Sequence, residues 1–392
     1  MAPPPVVGGA PTDDGALVGT VPEAPILPDY GGACLSSVLP ALRAGPAAPG
    51  WFPEPARHAA QVVLLVLDGL GWDQVVAPGS LLPTLAGGVG GPITSVAPTT
   101  TAAALTSIAT GRTPAEHGVV GYRLRLRREG VEADEVMNVL RWRSEHGDLR
   151  RQLPPPGFQP VPAFGGVPAP AVTRSEFAAT GFTAAHLGGA RLVGWQMPST
   201  LVVEVRRLLQ LGERFVYAYY DGLDKVAHEH GLGEHFGAEL RATDRLVGDL
   251  VAVLPPGAAL VVVSDHGQVE VGAALRVPGP ELLSGVTLLS GEGRFRWLHT
   301  RPGAATDVLD AARAIHGDEA WVVTREEVVD GGWFGGALAP DVANRLGDVA
   351  LVARAPVAFL DPADTGETRL LARHGSLTAA EMYVPCLAFG PA

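Results

Sequence analysis

The sequence predicts an α/β fold, with a mostly parallel central sheet flanked by helices and a smaller inserted α+β lobe. Three observations predict it. Val62–Leu67, Phe215–Tyr220 and Ala259–Ser264 are short apolar runs rich in β-branched or aromatic residues, the pattern of strands buried on both faces. Helical patterns alternate with these runs, which is the rhythm of βα units. The 392-residue chain is 47% hydrophobic and only 18% charged, enough apolar material for a large core and too little charge for a disordered chain.

Taken in order, residues 1–50 form a Pro/Gly-rich segment expected to pack on the core, with a short helix over Ser36–Arg43. The core proper is expected over 51–274. Its first strand, Val62–Leu67, stops at Asp68-Gly69. Pro98-Thr99-Thr100-Thr101 then opens a helix through Ala102–Leu105 that closes at Thr110-Gly111. Thr suits an N-cap, Ala propagates helix, and Gly suits the stop. Residues 122–170 are irregular and turn Pro-rich after Leu153. A helix around Glu176, a strand over 182–187, an amphipathic helix over 200–211 and a helix over 236–253 complete the pattern around the second and third strands. Residues 275–365 lose the βα rhythm and read as an inserted lobe. Residues 366–392 are expected to return to the core, the apolar run Tyr383–Phe389 rejoining the sheet.

Composition narrows the function. With 29 basic and 41 acidic residues the net charge is −12, against general binding to nucleic-acid phosphates, which needs a basic face. A phosphate substrate stays open, because bound metal reverses the local sign. Lys225 is the only lysine, which points to a GC-rich coding bias. The two cysteines, Cys34 and Cys386, exclude a disulfide framework and a cysteine-built zinc site. Met1–Gly9 has no basic start and no apolar run, and no stretch of about 18 apolar residues occurs. The expectation is a cytoplasmic protein without a membrane span; oligomeric state is not legible.

Chemistry concentrates where the strands end. Asp68, Asp221 or Asp224, and Asp265 follow the three apolar runs, at the edge where open α/β sheets bind ligands. Any one alone reads equally well as a helix cap. Asp224 and His228 stand four apart, on one face of a helix. Asp265-His266 leaves a strand directly, and His374-Gly375 lies in a loop. Three carboxylates and three imidazoles suit zinc, then manganese, and suffice for two cations of the kind that clamp phosphoryl transfer. Thr99, Thr100 and Thr101 read locally as caps first. A hydroxyl at a helix start also faces free N–H groups that attract anions.

This ordered set resembles the alkaline phosphatase superfamily, in its type I phosphodiesterase/nucleotide pyrophosphatase branch. The carrying segments are Val66–Gly71, Pro98–Thr101 with Thr110–Pro114 and His117-Gly118, Asp224–His228 with Gly231, Ser264–Gly267, and His374-Gly375. The resemblance implies Thr101 as nucleophile, three residues after Pro98 and nine before Thr110. It implies one metal on Asp68, Asp265, His266 and Thr101, and another on Asp224, His228 and His374. It implies a hydrolase of phosphate diesters or nucleotide pyrophosphates working through phospho-threonine on two divalent ions, zinc or else manganese. The alternatives are a phosphomonoesterase, a phosphonate hydrolase, or a non-catalytic ligand-binding protein of the same fold. The branch usually carries an Asn after the His-Gly; here Gly121-Tyr122 stands there. Tyr122, Asn138, Arg123 and Arg125 are therefore the candidates for holding phosphate, each reading equally as a loop residue. His117 reads as structural, and His228 is preferred to His230 by spacing. Trp297 and His299 read as packing in the lobe more than as pocket residues. Neither cysteine has the setting a sulfatase needs.

Overall fold

A computed structural model describes residues 24–77, 81–127, 134–364 and 366–391. Along the chain run α1 (Leu35–Ala44), β1 (Gln61–Leu67), β2 (Val89–Thr94), α2 (Thr101–Thr110), β3 (Pro170–Arg174), α3 (Gly181–His186) and β4 (Arg191–Trp195). There follow α4 (Pro198–Gln210), β5 (Phe215–Tyr220), α5 (Gly222–His230), α6 (Glu234–Ala252) and β6 (Ala258–Val263). The chain ends through β7 (Val286–Glu292), β8 (Phe295–Thr300), α7 (Ala305–His316), β9 (Ala320–Thr324), β10 (Val349–Ala353) and β11 (Tyr383–Phe389).

The main sheet has seven strands in the order β2-β11-β6-β1-β5-β3-β4. β1 pairs in parallel with β5 and β6, and β3 with β4 and β5. Only β11 runs against its neighbours, pairing antiparallel with β6 and β2. Alternation explains why β1 sits at the centre. Leu64 and Val66 face one buried core, Val63, Leu65 and Leu67 the other, so both faces are covered by helices. Val66 is level with Tyr219 and Val263. That register brings Asp68, Asp221 and Asp265, which follow the three strands, to one edge.

α2 is buried along its whole length. Its small residues let α1 and the sheet close around it, and its polar groups are satisfied locally. Thr106 and Thr110 donate to the carbonyls four residues back, at 2.6 and 2.7 Å, the usual solution for a hydroxyl inside a helix. Gly111, at φ 68, makes the left-handed stop.

β7, β8, β10 and β9 form a separate antiparallel sheet in the order β7-β8-β10-β9. Leu298, Leu351 and Val322 face its own small core with α7, whereas Trp297, Ala350 and Val352 join the larger core around α2.

Two local expectations are corrected. Residues 182–187 are not a strand: Gly181–His186 is helical, because the Thr180 hydroxyl accepts from Thr183 N and caps it. The helix around Glu176 is a single 3₁₀ turn, Ser175–Phe177. The strand of this region is β3, one turn earlier, and 122–170 contains the ribbon Arg123–Leu126 paired with Glu135–Asn138. Short, mixed-polarity strands give no apolar run to detect.

Candidate active site

Asp68, Thr101, Asp224, His228, Asp265, His266 and His374, scattered over the sequence, meet at the carboxyl edge of the sheet. Asp68 and Asp265 follow β1 and β6 and are buried. Gly69 must be glycine: its φ is 81, and a Cβ there would lie 3.1 Å from the Asp224 Cα and 2.6 Å from the Gln268 amide. Asp224 and His228 share the inner face of α5, with His228 Nε2 3.3 Å from Asp224 Oδ1. Asp221 turns away, to Arg174 at 2.6 Å and Lys225 at 2.7 Å, so Asp224 is the carboxylate of this pair that faces the cluster.

Two groups of side chains place ligand atoms within 4.8 Å of one another: Asp68, Asp265 and His266; and Asp224, His266 and His374. His266 belongs to both, and His228 joins the second through Asp224. The rings of His266 and His374 stack with centroids 3.5 Å apart and planes 11° apart. Thr101 Oγ1 lies 3.2 Å from His266 Nε2.

The imidazoles are oriented by what their other nitrogens touch. Nδ1 of His228 faces the Ala372 carbonyl at 2.8 Å, Nδ1 of His266 the Gly267 carbonyl at 3.0 Å, and Nδ1 of His374 the Thr99 carbonyl at 2.8 Å. A carbonyl only accepts, so each Nδ1 donates and each neutral ring presents an Nε2 lone pair to the cluster. That lone pair meets carboxylate oxygens: His266 Nε2 is 3.5 Å from Asp68 Oδ1 and 3.3 Å from Asp265 Oδ2. Those two oxygens are buried without a hydrogen-bond partner among the described residues. Carboxylate oxygens and imidazole nitrogens that converge in this way fit a cation.

Electrostatics point the same way. Burial, then the charges of Asp265 and Asp224, push the Asp68 carboxyl well above its usual range. Burial raises Asp265 too. Burial lowers His266, and burial with the neighbouring His266 and His228 lowers His374 far more. The remaining carboxylate contacts are specific. Asp68 Oδ2 accepts from the Tyr219 hydroxyl, and Asp224 Oδ1 from the Gln268 amide at 2.7 Å.

Two chambers open on Thr101. The larger, about 440 Å³, is the more polar of the two and reaches Asp224, His228, His374, Tyr122 and Asn138. The smaller, about 300 Å³, is walled by Leu105, Phe177, Phe182, Leu187 and Tyr219. Leu140 and Arg141 border both. Tyr122 and Asn138 face the larger chamber together, the Asn138 amide donating to the Tyr122 oxygen at 2.6 Å. Arg123 pairs with Asp361 at 2.6 Å and Asp364 at 3.3 Å. Arg125 is directed to the Asn344 carbonyl and Asp134.

His117, His230 and His299 make other contacts. His117 bonds Ser107 Oγ at 2.9 Å and accepts from Val119 N, fixing the turn beyond α2. His230 stacks on His235. His299 bonds Ser290, and Trp297 is packed inside. Sequence reasoning missed Arg141, Tyr219, Gln268 and the lobe's Glu292, which also lines the larger chamber. Only Tyr219 left a signal, standing two residues before a strand-end Asp.

A mostly parallel sheet with carboxylates and histidines gathered at its carboxyl edge has the arrangement of an α/β enzyme that binds its ligand beyond the strand ends. More particularly, residues 62–186 and 200–377 match the family described as type I phosphodiesterase / nucleotide pyrophosphatase, and the chain belongs to that family. Murine ectonucleotide pyrophosphatase / phosphodiesterase 5 shares the fold at a TM-score of 0.61 and 17% identity, over 85% of this chain and 88% of that one. The human counterpart gives 0.60 at 17%, over 85% and 88%. Phosphonoacetate hydrolase from Sinorhizobium meliloti 1021, in complex with phosphonoformate, gives 0.61 at 20%, over 86% and 91%. No curated protein matches by sequence. Among the described residues no helix is long and apolar enough to cross a membrane.

Proposed function

We propose that the chain hydrolyses phosphate diesters or nucleotide pyrophosphates, with Thr101 as nucleophile and two divalent cations, zinc before manganese. One observation carries this reading. Three imidazoles, each fixed through Nδ1 by a backbone carbonyl, turn Nε2 toward buried carboxylates beside a helix-start threonine. Asp68, Asp265 and His266 would hold one cation beside Thr101, and Asp224, His228 and His374 the other. When bound, such ions supply charge stabilisation at the phosphoryl oxygens and favour ionised hydroxyls.

The chain's own groups do the rest. Thr101 stands at the first position of a rigid, buried ten-residue helix, so its Oγ1 is held in place and the unpaired N–H groups of the first turn favour an anion. Attack by Oγ1 forms a Thr101–phosphorus bond and releases the alcohol or phosphate leaving group. Water then cleaves that bond and frees Thr101, so one displacement becomes two easier ones. Tyr122 and Asn138 border the phosphoryl position in the larger chamber, where the branch usually places one Asn. The structure described as an inactive threonine-to-alanine variant of the murine phosphodiesterase, in complex with AMP, supports a threonine-dependent reaction on a nucleotide.

A phosphonate hydrolase or monoesterase is the second reading. It is favoured by the fold shared with phosphonoacetate hydrolase and by Arg141 and Arg373 in the chamber wall. Rates on bis-p-nitrophenyl phosphate, p-nitrophenyl phosphate and phosphonoacetate, measured side by side on zinc-loaded protein, separate the readings. A diester preference is expected. A preference for either of the others replaces the first reading with the second.

A further inference from the structure

Arg294 and Glu381 form a bidentate ion pair with both side chains fully buried. Arg294 Nε donates to Glu381 Oε1 at 2.7 Å, and a terminal nitrogen donates to Oε2 at 2.8 Å. The other terminal nitrogen donates to the carbonyls of Ala355 and Val357, at 2.9 and 2.8 Å. Glu381 in turn accepts from Ser376 N at 3.0 Å and from the Thr378 hydroxyl at 2.6 Å. These bonds occupy the guanidinium and the carboxylate, so neither group is offered to substrate. A buried pair is seldom worth much as stability, because desolvation offsets the attraction. Its value here lies in where it reaches.

Arg294 sits in the turn between β7 and β8, in the lobe. Glu381 sits beneath the two histidine loops. Ser376, whose N–H it holds, is two residues past His374. The Glu381 carbonyl accepts from Gly267 N at 2.9 Å, one residue past His266. Gly267 admits no side chain, since a Cβ there would fall 1.9 Å from the Ala380 carbonyl oxygen. From the other side Thr99 clamps the same loop: its hydroxyl donates to Ser376 O at 2.7 Å and accepts from Gly375 N at 3.0 Å. His266 and His374, the stacked rings between the two ligand groups, are thus fixed from below by one residue.

We propose that Glu381, held by Arg294, is a positioning residue that sets the His266–His374 stack and with it the spacing of the two cations. The lobe thereby takes part in assembling the metal site as well as walling the chamber. The inference rests on the two-cation reading above. Outer partners of metal ligands typically alter affinity 10–100-fold, and in-line phosphoryl transfer depends on a metal separation of about 3.5–4 Å.

The test uses the full chain, freed of metal and titrated with Mn²⁺ alone. Stoichiometry, affinity and the electron paramagnetic resonance signature of a coupled manganese pair are followed, with melting temperature alongside. Wild type is expected to take two ions and show coupling. Glu381→Gln keeps the shape and one acceptor; it is expected to weaken the looser ion about 10–100-fold and to change the coupling. Arg294→Lys keeps the charge but not the fork. It is expected to do the same in smaller measure, and it serves if the glutamine variant does not fold. Variants that melt lower yet bind two ions with unchanged affinity and coupling overturn the proposal and leave the two-cation reading standing. A wild-type chain that binds fewer than two overturns both.

Discussion

The candidate metal cluster and the walls of the chamber above it are built in opposite ways. The cluster hangs from strand ends and from α2 and α5, elements packed on both sides of a seven-stranded sheet. The walls come from Tyr122 and Asn138, from Leu140 and Arg141 in the turn that follows, from Glu292 in the lobe, and from Asp364, Leu370 and Arg373. In the first region the functional side chains stand on or directly after regular elements, except His374, whose loop is held by Thr99. In the second, positions depend on ion pairs between distant segments, such as Arg123 with Asp361 and Asp364. On the function proposed above, the scaffold sets the reaction type and the walls the choice of ester. Substitutions in the two regions are therefore expected to fail differently.

The largest effect is expected at Thr101. Thr101→Ala removes the nucleophile and little else, so diester turnover should fall by about 1,000-fold or more. Bound metal and melting temperature should stay within error. Retention of most activity would remove Thr101 from the mechanism. Asp265→Asn should come next. Asp265 Oδ2 is buried and unpartnered, and the amide offers one neutral oxygen in place of a charge. Metal affinity should fall about 100-fold, read by titration with Zn²⁺ against a chelating dye. Unchanged affinity would break the claim that this edge of the sheet holds the ion.

A stability measurement probes the scaffold without touching the chemistry. His117 is buried, and burial, with Arg345 nearby, pushes its pKa from 6.5 down to about 3. The unfolded chain therefore takes up the proton first. The contribution is fully present above pH 6.5 and is lost as pH falls toward 3, by up to about 1.4 kcal/mol per pH unit. His186 and His299, lowered to about 4 and about 3, act in the same direction. Urea unfolding at pH 7, 6 and 5 should show this slope. His117→Gln, which costs stability at every pH, should flatten it by about one such increment. An unflattened slope would mean that His117 titrates normally.

Legibility in the sequence follows the same division. Val62–Leu67 and Ala259–Val263 were readable because both faces of a parallel strand must be apolar. Asp68, Asp265 and His266 were readable because they stand where such strands stop. Residues 182–187 misled because Phe182 and Leu187 suit a strand as well as a helix, and the Thr180 cap decided it. The ion pairs of Arg123 are not legible in the sequence, because Asp361, 238 residues away, and Asp364 reach it only in the fold. Glu381 and Arg294 gave no sign, since they stand 87 residues apart and meet only in the fold.

The smallest effect, and the sharpest test of the division, is expected at Tyr122. Its ring and the Asn138 amide share the chamber wall where the branch usually has a single Asn, and the amide donates to the phenol oxygen. If the walls choose the ester, removing the hydroxyl should change the ratio of diester to monoester rates more than it changes cation binding. Tyr122→Phe deletes one neutral hydrogen-bonding group, worth about 0.5–1.5 kcal/mol, so kcat/KM for the preferred ester should fall about 3- to 10-fold. Asn138→Ala should move the ratio the same way, because it releases the phenol from its partner. In the double variant the two losses should combine to less than their product, as expected for groups in contact. Equal losses on diester and monoester, or a loss of metal in either variant, would place Tyr122 with the scaffold and collapse the distinction between the two regions.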